Sequence, residues 1–202
     1  MLTIIAKGGP VMVPLLGGSV ISLAFALERY VAYRRARRDN SLLMARLEEA
    51  LPDDPAEGAA LCASWGGPVA AVLGRGLEAF RGGKDVDKSM DAAQREQIQR
   101  LEKNLDIPAL TANVAPLLGL LGTVTGLMDT FGVLSGHGAK DPSLLARGIA
   151  EALITTVAGL IIAIVSILIH HHLTKVVDGF VEEMENYRER LGELLPEGRG
   201  NR

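Results

Sequence analysis

Three long apolar runs constrain this chain more than any other feature: PVMVPLLGGSVISLAFAL (10–27), VAPLLGLLGTVTGLMDTFGVL (114–134) and GIAEALITTVAGLIIAIVSILI (148–169). Each is close to the roughly 20 residues that a helix needs to cross a hydrocarbon core of about 30 Å. In lipid every backbone amide must find its partner within the segment, so runs of this kind are expected to be helices. They also account for a hydrophobic fraction of 48% and a mean hydropathy of +0.22 in 202 residues, values high for a soluble domain. The expected fold class is an all-α integral membrane protein, its three transmembrane helices extended by a cytoplasmic helical bundle.

Charge fixes the orientation. Only Lys7 precedes the first run, whereas Arg29, Arg34, Arg35, Arg37 and Arg38 come after it, the reverse of a cleaved signal peptide. The run therefore reads as an uncleaved anchor with a short N-terminus outside, and the arginine cluster places the next segment of the chain inside. Four regions result: 1–33, the first transmembrane helix; 34–112, a cytoplasmic helical region; 113–173, a two-helix channel-forming membrane region; and 174–202, a cytoplasmic helix and tail. Tyr30 and Tyr33 fall where an interfacial aromatic belt would lie. A net charge of −3 carries no nucleic-acid signal. Cys62 is the only cysteine, which excludes an intrachain disulfide or a multi-cysteine metal site. No pattern in the chain calls for a cofactor or for enzymatic chemistry.

Between the first two runs, YVAYRRARRDNSLLMARLEEAL continues the first helix, with Leu43, Leu47 and Leu51 on one face and Pro52 and Pro55 ending it. A helix near 55–64 comes next, then a break at Gly66, Gly67 and Pro68, then PVAAVLGRGLEAF up to Gly82 and Gly83. DVDKSMDAAQREQIQRLEKNLD (85–106) places Met90, Gln94, Leu101 and Leu105 on one stripe and is expected to feed straight into the second span. Pro108 and Pro116 are expected to kink that long helix. The tail repeats the amphipathic pattern through Val177, Val181, Met184, Leu191 and Leu195, and 196–202 reads as a disordered end. These helices carry too little apolar surface for a large core of their own, so they are expected to prolong the membrane bundle.

The polar residues inside the spans point to function. A membrane carboxylate costs on the order of 2.5–3.5 kcal/mol at a helix centre and normally faces a bundle interior or a watery path. Glu151 lies only about 5 Å below the outer end of the third span. There a helix dipole and interfacial water would also stabilise it, so a structural reading stands beside the functional one. Thr155, Ala158, Gly159, Ile162 and Ser166 continue its face, while Thr156 is turned about 140° away, as if this helix met two surroundings. On the second span Gly119, Gly122, Thr123, Gly126 and Thr130 form a small and polar stripe in which Gly122 and Gly126 make GxxxG, a close-packing pattern. Thr123 and Thr156 lie about 18 and 12 Å deep, near the bilayer middle, and Asp129 about 9 Å deep, able to share an outer vestibule with Glu151. A threonine hydroxyl can instead be satisfied by a helix carbonyl. His170, His171 and His172 point about 100° apart in succession and cannot converge on one metal, which favours interfacial snorkelling.

APLLGLLGTVTGLMDTF followed by GIAEALITTVAGLIIAI resembles the core of the ExbB/TolQ/MotA proton-channel family, closest to its ExbB and TolQ branch. The resemblance covers all three spans and LERYVAYRRARR after the first. It implies that Thr123, Glu151 and Thr156 line a proton route; the spacing and depth of the residues themselves add Thr155 and Asp129 beside it and Gly119, Gly122, Gly126 and Gly159 as helix-packing positions. It further implies a homopentamer in the bacterial inner membrane, enclosing a dimer of an ExbD/TolR-like single-span partner whose aspartate carries the proton. The implied role is to energise an envelope-spanning TonB/TolA-like protein. Asp129 departs from the neutral polar residue usual in that branch. A MotA-like stator would want a fourth span and a longer cytoplasmic region, and a membrane scaffold without ion flux is the third reading.

Overall fold

The computed structural model describes residues 9–52, 54–137 and 142–195. Among them every regular element is helical: α1 (Met12–Ala36), α2 (Asn40–Ala50), α3 (Pro55–Trp65), α4 (Pro68–Arg81), α5 (Val86–Glu102), α6 (Asp106–His137) and α7 (Pro142–Leu194). Three of these helical segments are long and apolar enough to cross a membrane, over Met12–Ala50, Asp106–Gly132 and Gly148–Leu194. The chain divides into two compact units. One comprises Met1–Glu28 and Asn104–His172, the other Arg29–Lys103 and Leu173–Arg202. The expected disordered end at 196–202 lies outside the described residues.

In the first unit the helices share a narrow seam and leave the rest of their surface uncovered. Met12, Leu15, Ala115 and Ala163 are buried together, with Leu16, Leu118, Ile154, Ala158 and Ile162 packed against them. Leu23, Leu27, Leu117, Met128, Ile161 and Leu168 each stay more than half exposed. Apolar surface on that scale suits a hydrocarbon solvent or neighbouring transmembrane helices and would be a liability in water.

The second unit corrects the expectation of a weak core. Leu43, Met44, Leu47, Leu73, Leu77, Met90, Met184 and Leu191 are all fully buried. The missing contribution is the C-terminal part of α7, which adds Leu173, Val177, Phe180, Met184 and Leu191 from a distant part of the sequence. Polar ties reinforce it. Arg188 contacts Asp91 at 2.6 Å and donates to Gln94 Oε1 at 2.5 Å, Arg190 contacts Glu48 at 3.0 Å, and Asn40 donates to Glu183 at 2.9 Å.

The helix boundaries differ from expectation at two places. α1 does not continue into α2: Arg37–Asp39 leave the helix, and Asp39 caps α2 by accepting from the Leu42 N–H at 3.2 Å. An aspartate side chain satisfies a donor that helix geometry strands, so a restart there competes well with continuation. Nor does α5 feed into α6, because Lys103–Leu105 turn and Asn104 adopts φ 64°. Asparagine tolerates the left-handed region better than other residues with a Cβ. Pro108 then falls in the first turn of α6, where its missing N–H has no partner to lose, and only Pro116 sits inside the helix.

Tyr33 is also not a belt residue. It is 5% exposed, and its hydroxyl donates to the Leu101 carbonyl at 2.7 Å. Arg29 donates to the neighbouring Arg100 carbonyl at 3.3 Å. The last carbonyls of α5 lack donor partners within their own helix, and these two α1 side chains supply them.

Candidate functional site

The site is built where α6 crosses α7, and glycine makes the crossing possible. A Cβ on Gly119 would lie 2.9 Å from the Thr155 carbonyl oxygen and 3.0 Å from Thr156 Cα; one on Gly159 would lie 2.5 Å from the Ala115 carbonyl oxygen. Both are contacts with backbone, which cannot step aside. At Gly122 the added atom would meet the Thr155 side chain at 2.5 Å, and at Gly126 it would meet Ala152 Cβ at 3.0 Å. The GxxxG spacing thus packs against Thr155 and Ala152, which lie one turn apart on α7.

That approach brings polar groups together inside the unit. The hydroxyls of Thr123 and Thr156 are in direct hydrogen-bond contact. Thr123 Oγ1 also lies 3.2 Å from the Gly119 carbonyl of its own helix and 3.2 Å from the Ala152 carbonyl of α7. Thr156 Oγ1 lies 3.0 Å from the Gly119 carbonyl. Each hydroxyl has one hydrogen, so the pair has two complementary arrangements. Either Thr123 donates to Thr156, which donates to Gly119, or Thr156 donates to Thr123, which donates to a carbonyl of Ala152 or Gly119. Rotating the two O–H bonds reverses the direction of the chain. Such a pair can relay hydrogen-bond polarity but cannot store a proton, so any transfer through it needs a titratable group at each end.

Thr155 is 1% exposed and donates to the Ala152 carbonyl at 2.7 Å. It does not look away from Thr156 into separate surroundings: both side chains meet α6, Thr155 at Gly122 and Thr156 at Thr123. Towards the C-terminal end of α6 Thr130 donates to the Gly126 carbonyl at 2.7 Å and packs against Gly148. Asp129 is exposed on the adjacent face of α6. The backbone of Glu151 is part of α7, but its side chain lies outside the described residues, so its relation to Asp129 is not part of this geometry. His170 Nδ1 lies 3.1 Å from the Leu105 carbonyl, beside the break that precedes α6, while His171 and His172 are exposed. Among the described residues no group of three metal-ligating side chains converges.

Three features of the first unit have no counterpart among the candidate residues of the sequence. Ala152 supplies both the surface opposite Gly126 and the carbonyl shared by Thr123 and Thr155; its small size was the available signal. Ala115 performs the same service at Gly159. Ser22 on α1 is 2% exposed, and its hydroxyl has no hydrogen-bond partner among the described residues.

The geometry defines a class: a multi-pass α-helical membrane protein with a glycine-packed, hydroxyl-lined seam between its second and third spans. Residues 64–186 match the model of the MotA/TolQ/ExbB proton channel family, and the chain belongs to that family. It is 34% identical over 112 residues to the Tol-Pal system protein TolQ of Haemophilus influenzae, covering 55% of this chain and 49% of that one. It is 33% identical over 168 residues to a putative biopolymer transport protein, ExbB-like 3, of Synechocystis, covering 80% and 79%. It is 41% identical over 99 residues to the biopolymer transport protein exbB1 of Vibrio cholerae, covering 46% and 43%. The chain thus spans about half the length of the TolQ relative. The family is one of proton channels and not of enzymes.

Proposed function

We propose that this chain is the channel-forming subunit of a proton-driven motor. It acts in the bacterial inner membrane with an ExbD/TolR-like single-span partner and energises an envelope-spanning process such as TonB-dependent transport. Five copies surround a dimer of the partner, with the N-terminus periplasmic and residues 34–112 and 174–202 cytoplasmic. The observation that carries this reading is the Thr123–Thr156 hydroxyl pair at the α6–α7 crossing, in a chain of the proton channel family. The titratable groups that the pair needs are Glu151 and Asp129 toward the outer end and an acidic residue of the partner helix deeper in. Thr155 holds the crossing, and Gly119, Gly122, Gly126 and Gly159 set the helix separation that keeps the hydroxyls in register. One charge moved through about 100 mV releases about 2.3 kcal/mol, which movement of the pentamer about the enclosed dimer converts into work.

The test replaces Glu151 and Thr156 together by alanine in cells that contain the partner. Loss of partner-dependent, proton-driven function with normal membrane insertion is the expected outcome. Retention of that function would leave a membrane scaffold without ion flux as the better reading.

A further inference from the structure

The Ala152 carbonyl of α7 is offered more hydrogens than it has lone pairs. In helix geometry it already takes the Thr156 backbone N–H. Thr155 Oγ1 donates to it at 2.7 Å, and Thr123 Oγ1 of α6 lies 3.2 Å from it. A carbonyl oxygen has two lone pairs, so the two hydroxyls compete for one place. Thr155 has the advantage. Its contact is the shorter, its side chain is 1% exposed, and the surface facing it is Gly122, which brings no polar side chain as an alternative. The Gly119 carbonyl of α6 holds the matching position. It takes the Thr123 backbone N–H, which leaves one lone pair for either Thr156 Oγ1 at 3.0 Å or Thr123 Oγ1 at 3.2 Å.

This count separates the two directions of the Thr123–Thr156 pair. With Thr123 donating to Thr156 and Thr156 to Gly119, each lone pair of the two carbonyls has one donor, and both hydroxyl bonds cross between α6 and α7. With the direction reversed, Thr156 donates to Thr123. Thr123 must then share the Ala152 place with Thr155 or turn to Gly119 on its own helix. Either way one full bond across the crossing is lost. We propose that Thr155 is a positioning residue that gives the hydroxyl pair a preferred direction, Thr123 to Thr156 to Gly119, and ties each reversal to the loss of an interhelical bond. One average interhelical side-chain bond in a membrane protein corresponds to a preference of about threefold. The consequence for transport rests on the proposed channel function. A hydroxyl relay must reverse after each proton it passes, so Thr155 slows the reversal and couples it to the contact between the two helices. Without the Thr155 hydroxyl, Thr123 has the Ala152 carbonyl to itself, and both directions keep two bonds across the crossing.

The experiment uses the full chain with an isotope label in the Ala152 carbonyl, whose infrared band rises in frequency when a hydrogen bond is lost. Thr123→Val is expected to leave the band unmoved in the wild type, where Thr155 supplies the hydrogen. In a Thr155→Ala background, where Thr123 supplies it, the same change is expected to raise the band. Thr155→Ser, which keeps the hydroxyl, should restore the wild-type pattern, and Thr155→Val, which keeps the branched shape against Gly122, should behave as Thr155→Ala. In vesicles holding the chain with its single-span partner, Thr155→Ala should pass protons up to about threefold faster than the wild type. A residue that only packs the crossing would give slower flux on truncation and no dependence of the Ala152 band on the Thr123–Thr155 combination. The proposal is overturned by a band that moves as far on Thr123→Val in the wild type as in Thr155→Ala, or by a Thr155→Ala protein that conducts no faster than the wild type. A wild type that passes no protons counts against the channel reading instead, and the infrared comparison still decides the direction of the pair.

Discussion

Replacing Gly159 by alanine puts a methyl group against backbone that cannot rotate away. The added carbon would sit 2.5 Å from the Ala115 carbonyl oxygen and 3.1 Å from Gly119 Cα. Carbon–oxygen contacts settle at about 3.3 Å or more, so α6 and α7 must part by about 0.8 Å at this level. The Thr123–Ala152 and Thr156–Gly119 contacts, now 3.2 and 3.0 Å, span the same gap, and one or other of them acts as the second interhelical bond beside the hydroxyl pair. Both would stretch to about 4 Å, beyond useful hydrogen-bond range. Overpacking costs about 1–3 kcal/mol. Two interhelical bonds add about 0.6 kcal/mol each. The expected loss is therefore about 2–4 kcal/mol, read from the SDS-induced unfolding of the full chain in mixed micelles. Gly17→Ala is the matched control, since a Cβ there meets nothing within 4 Å. It should be neutral or gain up to about 1 kcal/mol from helix propensity. A Gly159→Ala protein within about 0.5 kcal/mol of wild type would refute the close crossing on which the seam depends.

Burial pushes the Cys62 thiol up to about 12, so it stays protonated across the physiological range. A maleimide at pH 7.5 should label it slowly in the folded chain and rapidly once unfolded; because its ordinary value is 9.0, stability should fall as pH rises from 9 toward 12, and Cys62→Ala should remove that alkaline loss. Arg188→Ala removes contacts to Asp91 and to the buried Gln94 and should destabilise the second unit by about 1–3 kcal/mol in chemical denaturation, with Asp91→Ala largely non-additive to it. Asn104→Val forces a branched side chain into φ 64° and should cost about 1–3 kcal/mol in the same assay, whereas Asn104→Gly should not.

What the sequence revealed depended on whether the determining physics was periodic. The three spans follow from run length, and the buried stripe of α5 through Met90, Gln94 and Leu101 follows from helical spacing. The restart at Asp39 and the turn at Asn104 depend on one residue's backbone conformation, which leaves no mark on hydrophobic periodicity. The core of the second unit was underestimated because Met184 and Leu191 reach it from the far end of the chain. In the seam, depth counting along each span brings Thr123 and Thr156 towards the bilayer middle. The register that joins them is set by Gly119 and Gly159 meeting backbone across the helix pair, and one helix read alone does not contain it. Tyr33 was misplaced for a similar reason: its partner, the Leu101 carbonyl, is 68 residues away.

The central claim is that the paired hydroxyls carry proton flux. The direct measurement is proton uptake, reported by a pH-sensitive dye, in vesicles holding the full chain with its single-span partner under an imposed potential. Thr123→Ser with Thr156→Ser keeps both hydroxyls and should conduct near the wild-type rate. Thr123→Val with Thr156→Val keeps the shape and removes the hydroxyls, and should lower the rate by about 10²-fold or more, the scale of losing a positioned proton-transfer group. A valine pair that conducts like wild type would contradict the account.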